Sequence, residues 1–186
     1  MDNESNPLAD VTVKSGKRNV ITDTQGRYAI PVSTSGLYVV DIQKPGYTYA
    51  VRQVELLTGH DAAVAPAYLL PLDSKHTPVG SRGGRAANST GDVEVIIPPG
   101  AVSSTIPVNL TPYKSDKTLP APLPATSIFT HCVSLEPHGT VFRRPVTLRV
   151  KNDLRFPPGT LIPNGSLNRE TGAWMHESIG RVTADG

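Results

Sequence analysis

The residues of this 186-residue chain with chemistry to offer are five histidines, one cysteine and a few arginines close to turn sequences. His60, His76, His131, His138 and His176 are widely scattered, and none pairs with a histidine or carboxylate at the spacings of a zinc site. No metal site is expected. Asp23-Thr-Gln-Gly26 offers an acid and a glycine without the alternating oxygen ligands of a calcium loop. Gly80-Ser-Arg-Gly-Gly84 is glycine-rich, but no helix follows to aim its N-terminus at a phosphate. His131 and Cys132 come nearest to a base and a nucleophile, yet neighbours on a strand point to opposite faces. Cys132 is therefore assigned to the core and His131 to the other face. The chain is expected to have no catalytic residue, to need no cofactor and not to be an enzyme.

Binding is the better use of what remains. Arg143, Arg144 and Arg155 cluster near turns, and a guanidinium can hold carboxylate or phosphate groups in forked geometry. Trp174 joins them as a candidate binding residue: it could stack on a sugar, or plug a core or an edge. His76 beside Lys75 and Arg82 suggests an anion site, although a solvated linker explains the same residues. The formal net charge of +2 gives no general field for nucleic acid or an anionic membrane, so neither is expected as a partner. Acids outnumber bases up to Asp73, and the basic excess lies beyond it, including Arg149 and Lys151. An acidic polysaccharide or an acidic protein would suit that half.

The element that must position these groups is the strand opened by Gly91. Asp92, Glu94 and Ile96 alternate with Val93, Val95 and Ile97, and Pro98-Pro99-Gly100 then stops the strand. Val146, Leu148 and Val150 alternate in the same way with Thr147, Arg149 and Lys151, so both sets are expected in one core. With 18 prolines and 16 glycines, few segments could hold a helix of ordinary length, and the fold class is all-β. One cysteine excludes an intrachain disulfide framework. No apolar run approaches the ~20 residues that cross a bilayer, and Met1 to Pro7 lacks the regions of a signal peptide. The chain is expected to be a piece of a longer protein.

Taken in order, Pro7 to Ile30 reads as three short strands with a turn at Asp23 to Gly26. Gly36 to Gln43, Tyr47 to Leu56 and Ala62 to Leu70 supply further strands. Pro7-Leu8 before Val11-Thr-Val13, Thr22-Asp23 with Gly26-Arg-Tyr28, Gly36-Leu-Tyr38 and Pro45-Gly46-Tyr47 resemble the carboxypeptidase regulatory-like domains and their transthyretin-like and CnaB-type relatives. That resemblance implies a small prealbumin-like β-sandwich. In CnaB-type relatives a buried acid assists a Lys-Asn bond, and Asp41 sits where that acid would be. The strand that should bring the lysine is absent and Lys14 lies on another run, so Asp41 is expected to be a surface strand residue.

Pro71 to Asn88 is poor in apolar residues and is expected to contain a linker. Beyond it, Ile96-Ile-Pro-Pro-Gly-Ala101, Glu136-Pro-His-Gly-Thr140, Phe142 and Pro145-Val-Thr-Leu148 resemble the ZU-five domain of ankyrins, zonula-occludens-type proteins and netrin receptors. Some relatives cleave themselves at His-Phe-Ser, but here Val133 holds the nucleophile's position. Leu119-Pro-Ala-Pro-Leu-Pro124 is expected as an exposed crossing, with a polyproline ligand as the other reading. Gly159 to Glu177 is a hairpin turning near Thr171-Gly172. Sequons begin at Asn3, Asn88, Asn109 and Asn164.

The expected architecture is two small β-sandwich domains in tandem, 1–73 and 86–186, joined by a linker over 74–85. The expected function is a non-catalytic structural, spacer or adhesive module of an extracellular or surface protein, whose partners include the parent's other domains. The alternatives are an intracellular scaffold module of the ankyrin type and an accessory domain of a secreted carbohydrate-active enzyme.

Overall fold

The computed structural model describes residues 1–184. It is all-β, with 40% strand and 2% helix, the helix being a single 3-10 turn at Asp116–Thr118. Two compact units are interleaved in sequence. The first comprises 1–71, 115–129 and 163–179; the second comprises 72–114, 130–162 and, among the described residues, 180–184.

The first unit is built on an antiparallel sheet of β1 (Thr12–Ser15), β2 (Arg18–Ile21), β3 (Gly36–Gln43) and β4 (Ala50–Leu56), in the order β2-β1-β3-β4. Val11, Val13, Val40, Ile42, Ala50 and Leu69 form its buried core, with Leu8, Tyr28 and Ile30 packed against them. The turn at Asp23 forms as expected, its Oδ1 accepting from the N–H groups of Gln25 and Arg27. No strand forms after that turn over 27–30, nor over 62–70, where one was expected; both stretches are irregular chain. Pro66 supplies no N–H to a ladder, and pairing is limited to one isolated bridge, Tyr47 to Pro71, just past the expected strand. The core is closed by that irregular chain, which brings Tyr28, Ile30 and Leu69, not by a second regular sheet.

Leu119-Pro-Ala-Pro-Leu-Pro124 is the exposed crossing its prolines suggest only in its second half, where Pro122 and Pro124 are exposed. Leu119 and Ala121 are buried, because proline loses its donor and keeps its acceptor. Pro120 O accepts from Val51 N at 2.6 Å and from Arg52 Nη1 at 2.9 Å, which covers the outer edge of β4. Arg52 is itself buried and also donates to Val51 O and twice to Pro66 O. It ties β4 to two strandless segments.

The second unit has two three-stranded sheets. One is β10 (Thr147–Val150), β7 (Val93–Ile97) and β6 (Gly84–Ala87); the other is β5 (Thr77–Val79), β8 (Ile106–Tyr113) and β9 (Cys132–Glu136). Val79, Ala86, Val93, Val95, Ile97, Val108 and Leu110 of both sheets meet in one core. Val93, Val95 and Ile97 are buried as the alternation requires, and Val146 and Val150 pack against them. Leu148 departs from the expectation at 47% exposure. It lies opposite Val95, but β10 ends its sheet, so no described strand flanks it on the outer side.

Residues 74–85 are not a linker. They hold β5, paired with β8, and the start of β6, and Val79 is 2% exposed. The glycines that suggested a flexible join serve a tight corner instead. Gly83 has φ +71°, and a Cβ there would meet Pro98 C at 2.7 Å and Pro99 N at 2.8 Å.

Towards the end of the chain β11 (Leu161–Asn168) and β12 (Ala173–Arg181) form the expected hairpin, with Gly172 at φ +70° in its turn. Asp185 and Gly186 lie outside the described residues.

Candidate binding edge

β7 positions the basic residues through its neighbour β10. The pairing runs Thr147 to Ile96, Leu148 to Val95, Arg149 to Glu94 and Val150 to Val93. Before β10, the chain returns past the Pro-Pro-Gly corner, where Arg143 donates its N–H to Ala101 O at 2.9 Å. The Arg144 guanidinium lies over Gly100 at the same corner. After β10, Asn152 clamps the loop: its Nδ2 donates to Phe156 O at 2.8 Å and its Oδ1 accepts from Phe156 N at 2.9 Å. Arg155 sits within that clamp at φ +56°.

Arg143, Arg144, Arg149, Lys151 and Arg155 are all exposed. Across this stretch the one carboxylate is Asp153, 3.2 Å from Lys151, and both side chains are more than half exposed. Glu94, which faces Arg149 in register, lies 3.6 Å from Arg85. Exposed pairs of this kind contribute little, so the strip keeps its positive field. Arg143 and Arg144 stand before β10 and Arg155 after it, with Arg149 on the strand between them. They form a strip along one strand, not a pocket.

Trp174 belongs to the first unit. Its indole Nε1 donates to Pro122 O at 3.0 Å, so the polar end of the ring is engaged by the proline-rich run. Asp41 is a strand residue, on β3, as expected, but it is half-buried and paired instead of lying free at the surface. Arg169 holds it in a fork, Nη2 lying 2.6 and 2.8 Å from its two oxygens, and the guanidinium stacks 4.2 Å from the centre of the Tyr49 ring. Lys14 is the cross-strand neighbour of Asp41, but the carboxylate is taken up by Arg169. No sequence pattern marks Arg169, since it lies in a turn 128 residues away.

Cys132 is half-buried at the start of β9, and burial pushes its thiol up to about 12, where the nucleophilic thiolate is scarce. His131 is exposed. A polar network that sequence reasoning missed centres on Asp73, whose carboxylate accepts from Lys75 N, Ser89 N and Ser89 Oγ. The buried Asn109 donates to the carbonyls of Asp73 and Lys75, and Thr111 Oγ1 accepts from Asp73 N and donates to Asn109. Its one legible sign is the Asp-Ser-Lys turn. Of the sequon asparagines, Asn88 and Asn109 are 1% exposed and closed to a glycan, whereas Asn3 and Asn164 are exposed. Among the described residues no three of His, Cys, Asp and Glu gather as a metal would require, and no helix is long and apolar enough to cross a membrane.

Residues 75–152 match the ZU5 domain. The match takes in β5 to β10, Arg143 and Arg144, and stops short of Arg155 and Trp174. It begins inside the expected linker, which agrees with β5 being part of the second unit's core. ZU5 is a non-catalytic protein-interaction domain. The carboxypeptidase regulatory-like resemblance of residues 7–73 has no such match. Neither a curated protein nor a solved structure matches the chain.

Proposed function

We propose that the chain is a non-catalytic spacer or adhesive module of a larger extracellular or cell-surface protein, with an acidic partner bound along the basic strip beside β10. Residues 7–73 are read as a carboxypeptidase regulatory-like module that contacts neighbouring domains of the parent. The observation that supports this reading is the set of five exposed cations from Arg143 to Arg155, with Asp153 the one carboxylate in that stretch and Glu94 opposite Arg149 on β7, inside and just beyond the ZU5 match. Such a strip raises the encounter rate with acidic surfaces, and its effect fades with salt.

Binding of labelled heparin and of polyglutamate, followed by fluorescence anisotropy at low and high salt, tests the basic strip. Arg143→Glu/Arg144→Glu is expected to weaken either ligand by about tenfold, roughly 1.4 kcal/mol. Binding that ignores both salt and the double change overturns the strip as the binding surface. Antibody labelling of intact source cells tests the setting; staining that requires permeabilisation would replace the surface reading with the intracellular scaffold.

A further inference from the structure

β10 ends its sheet, bonded on one side by β7 and by no described strand on the other. Just past the strand, Lys151 donates its N–H inward to Asp92 O at 2.8 Å. Backbone groups of alternate residues turn to opposite edges, so Thr147 and Arg149 also face β7 while Leu148 and Val150 aim their N–H and C=O outward. The side chains divide by the same alternation. Leu148 and Val150 lie on the core side, with Leu148 47% exposed, and Thr147, Arg149 and Lys151 lie on the other. Pro145 precedes the strand, and no proline interrupts Thr147–Val150. An open edge of this kind is a template for another strand.

Charge selects the occupant. A second copy paired here would set Arg149 and Lys151 against cations of its own kind, and like charges facing across strands are destabilising. We propose that β10 accepts an extended acidic segment of a partner protein as an added strand. The segment's main chain bonds to Leu148 and Val150, its Asp or Glu residues face Arg149 and Lys151, and alternate apolar residues cover Leu148. This rests on the basic-strip reading and states how that strip holds its partner: the segment must alternate acidic and apolar residues.

The test uses the full chain, 15N-labelled, and an end-blocked peptide alternating Glu and Val, at low salt. Saturable binding is expected, with the largest amide shifts at Leu148 and Val150. N-methylation of two consecutive central residues removes a donor from each edge of the peptide and is expected to weaken it at least about tenfold, as is Lys in place of Glu. Leu148→Pro removes an N–H directed outward and is expected to do the same; should that variant not fold, the methylated peptide on the native chain decides alone. Absence of saturable binding overturns strand addition, and so does a methylated peptide that binds as well as its parent. Binding that resists methylation but is lost with Arg143→Glu/Arg144→Glu leaves the basic strip standing and removes only the added strand. Binding that resists both removes both. A dimer of the free chain that Leu148→Pro dissolves would make a second copy the occupant and overturn the proposal.

Discussion

A methyl group added at Gly83 would press on the backbone of Pro98 and Pro99, at a position where φ is already +71°. Gly91 has a similar φ of +76° but open space around it. Gly83→Ala is therefore expected to cost about 3 kcal/mol and Gly91→Ala about 1 kcal/mol, as read from denaturant midpoints. Equal losses would mean that the corner is not closely packed. Asp73 carries a second expectation at this scale. Although desolvation opposes its charge, hydrogen bonds from Ser89 Oγ and from the N–H groups of Lys75 and Ser89 hold its carboxyl below the ordinary range. A depressed folded value gives stability that is fully present above about pH 4 and is lost as pH falls through the folded value. The melting temperatures of the parent and of Asp73→Asn should thus be separated at neutral pH and converge in acid. A gap that persists unchanged at pH values well below 4 would place the effect elsewhere.

At the scale of elements, β7 and β10 carry the same alternating pattern and have different fates. Val95→Asp buries a charge without a partner and is expected to cost roughly 3 kcal/mol or more, whereas Leu148→Asp should stay within about 1 kcal/mol because the side chain reaches solvent. Comparable thermal melts for the two variants would contradict the edge position of β10. The pair also marks how far the sequence could be followed. Alternation identifies strands and the face each presents, so Val93, Val95, Ile97 and the Pro-Pro-Gly corner were legible. It cannot say which strand ends a sheet, and that alone separates Leu148 from Val95. Residues 74–85 misled for a related reason: glycine and proline mark a break in strand, and a break can be a tight corner as easily as a linker. The arginines of the strip were visible as residue types, but their alignment along β10 depends on pairing. Arg52 and Arg169 were not legible and Asp73 only as an Asp-Ser-Lys turn, since their partners are mostly backbone groups or a carboxylate distant in sequence.

For the whole molecule, interleaving changes where the chain should yield. A tandem pair with a linker would be cut first at 74–85, but that stretch is paired and partly buried. Exposed chain without strand instead occupies 57–63 and 124–128. Limited digestion with thermolysin is expected to nick those two stretches before any bond between Thr77 and Val79, as mass spectrometry of the first fragments would show; early cleavage within 77–79 would restore the linker. The same interleaving has a meaning in time. The fork on Asp41 is supplied by Arg169, 128 residues later, and the acceptor for Val51 N and Arg52 is Pro120. A ribosome takes roughly 6 to 25 s to travel from Asp41 to Arg169. The unit that emerges first therefore waits on chain made much later, and through that interval β4 lacks the Pro120 carbonyl that accepts from Val51 N and Arg52 Nη1.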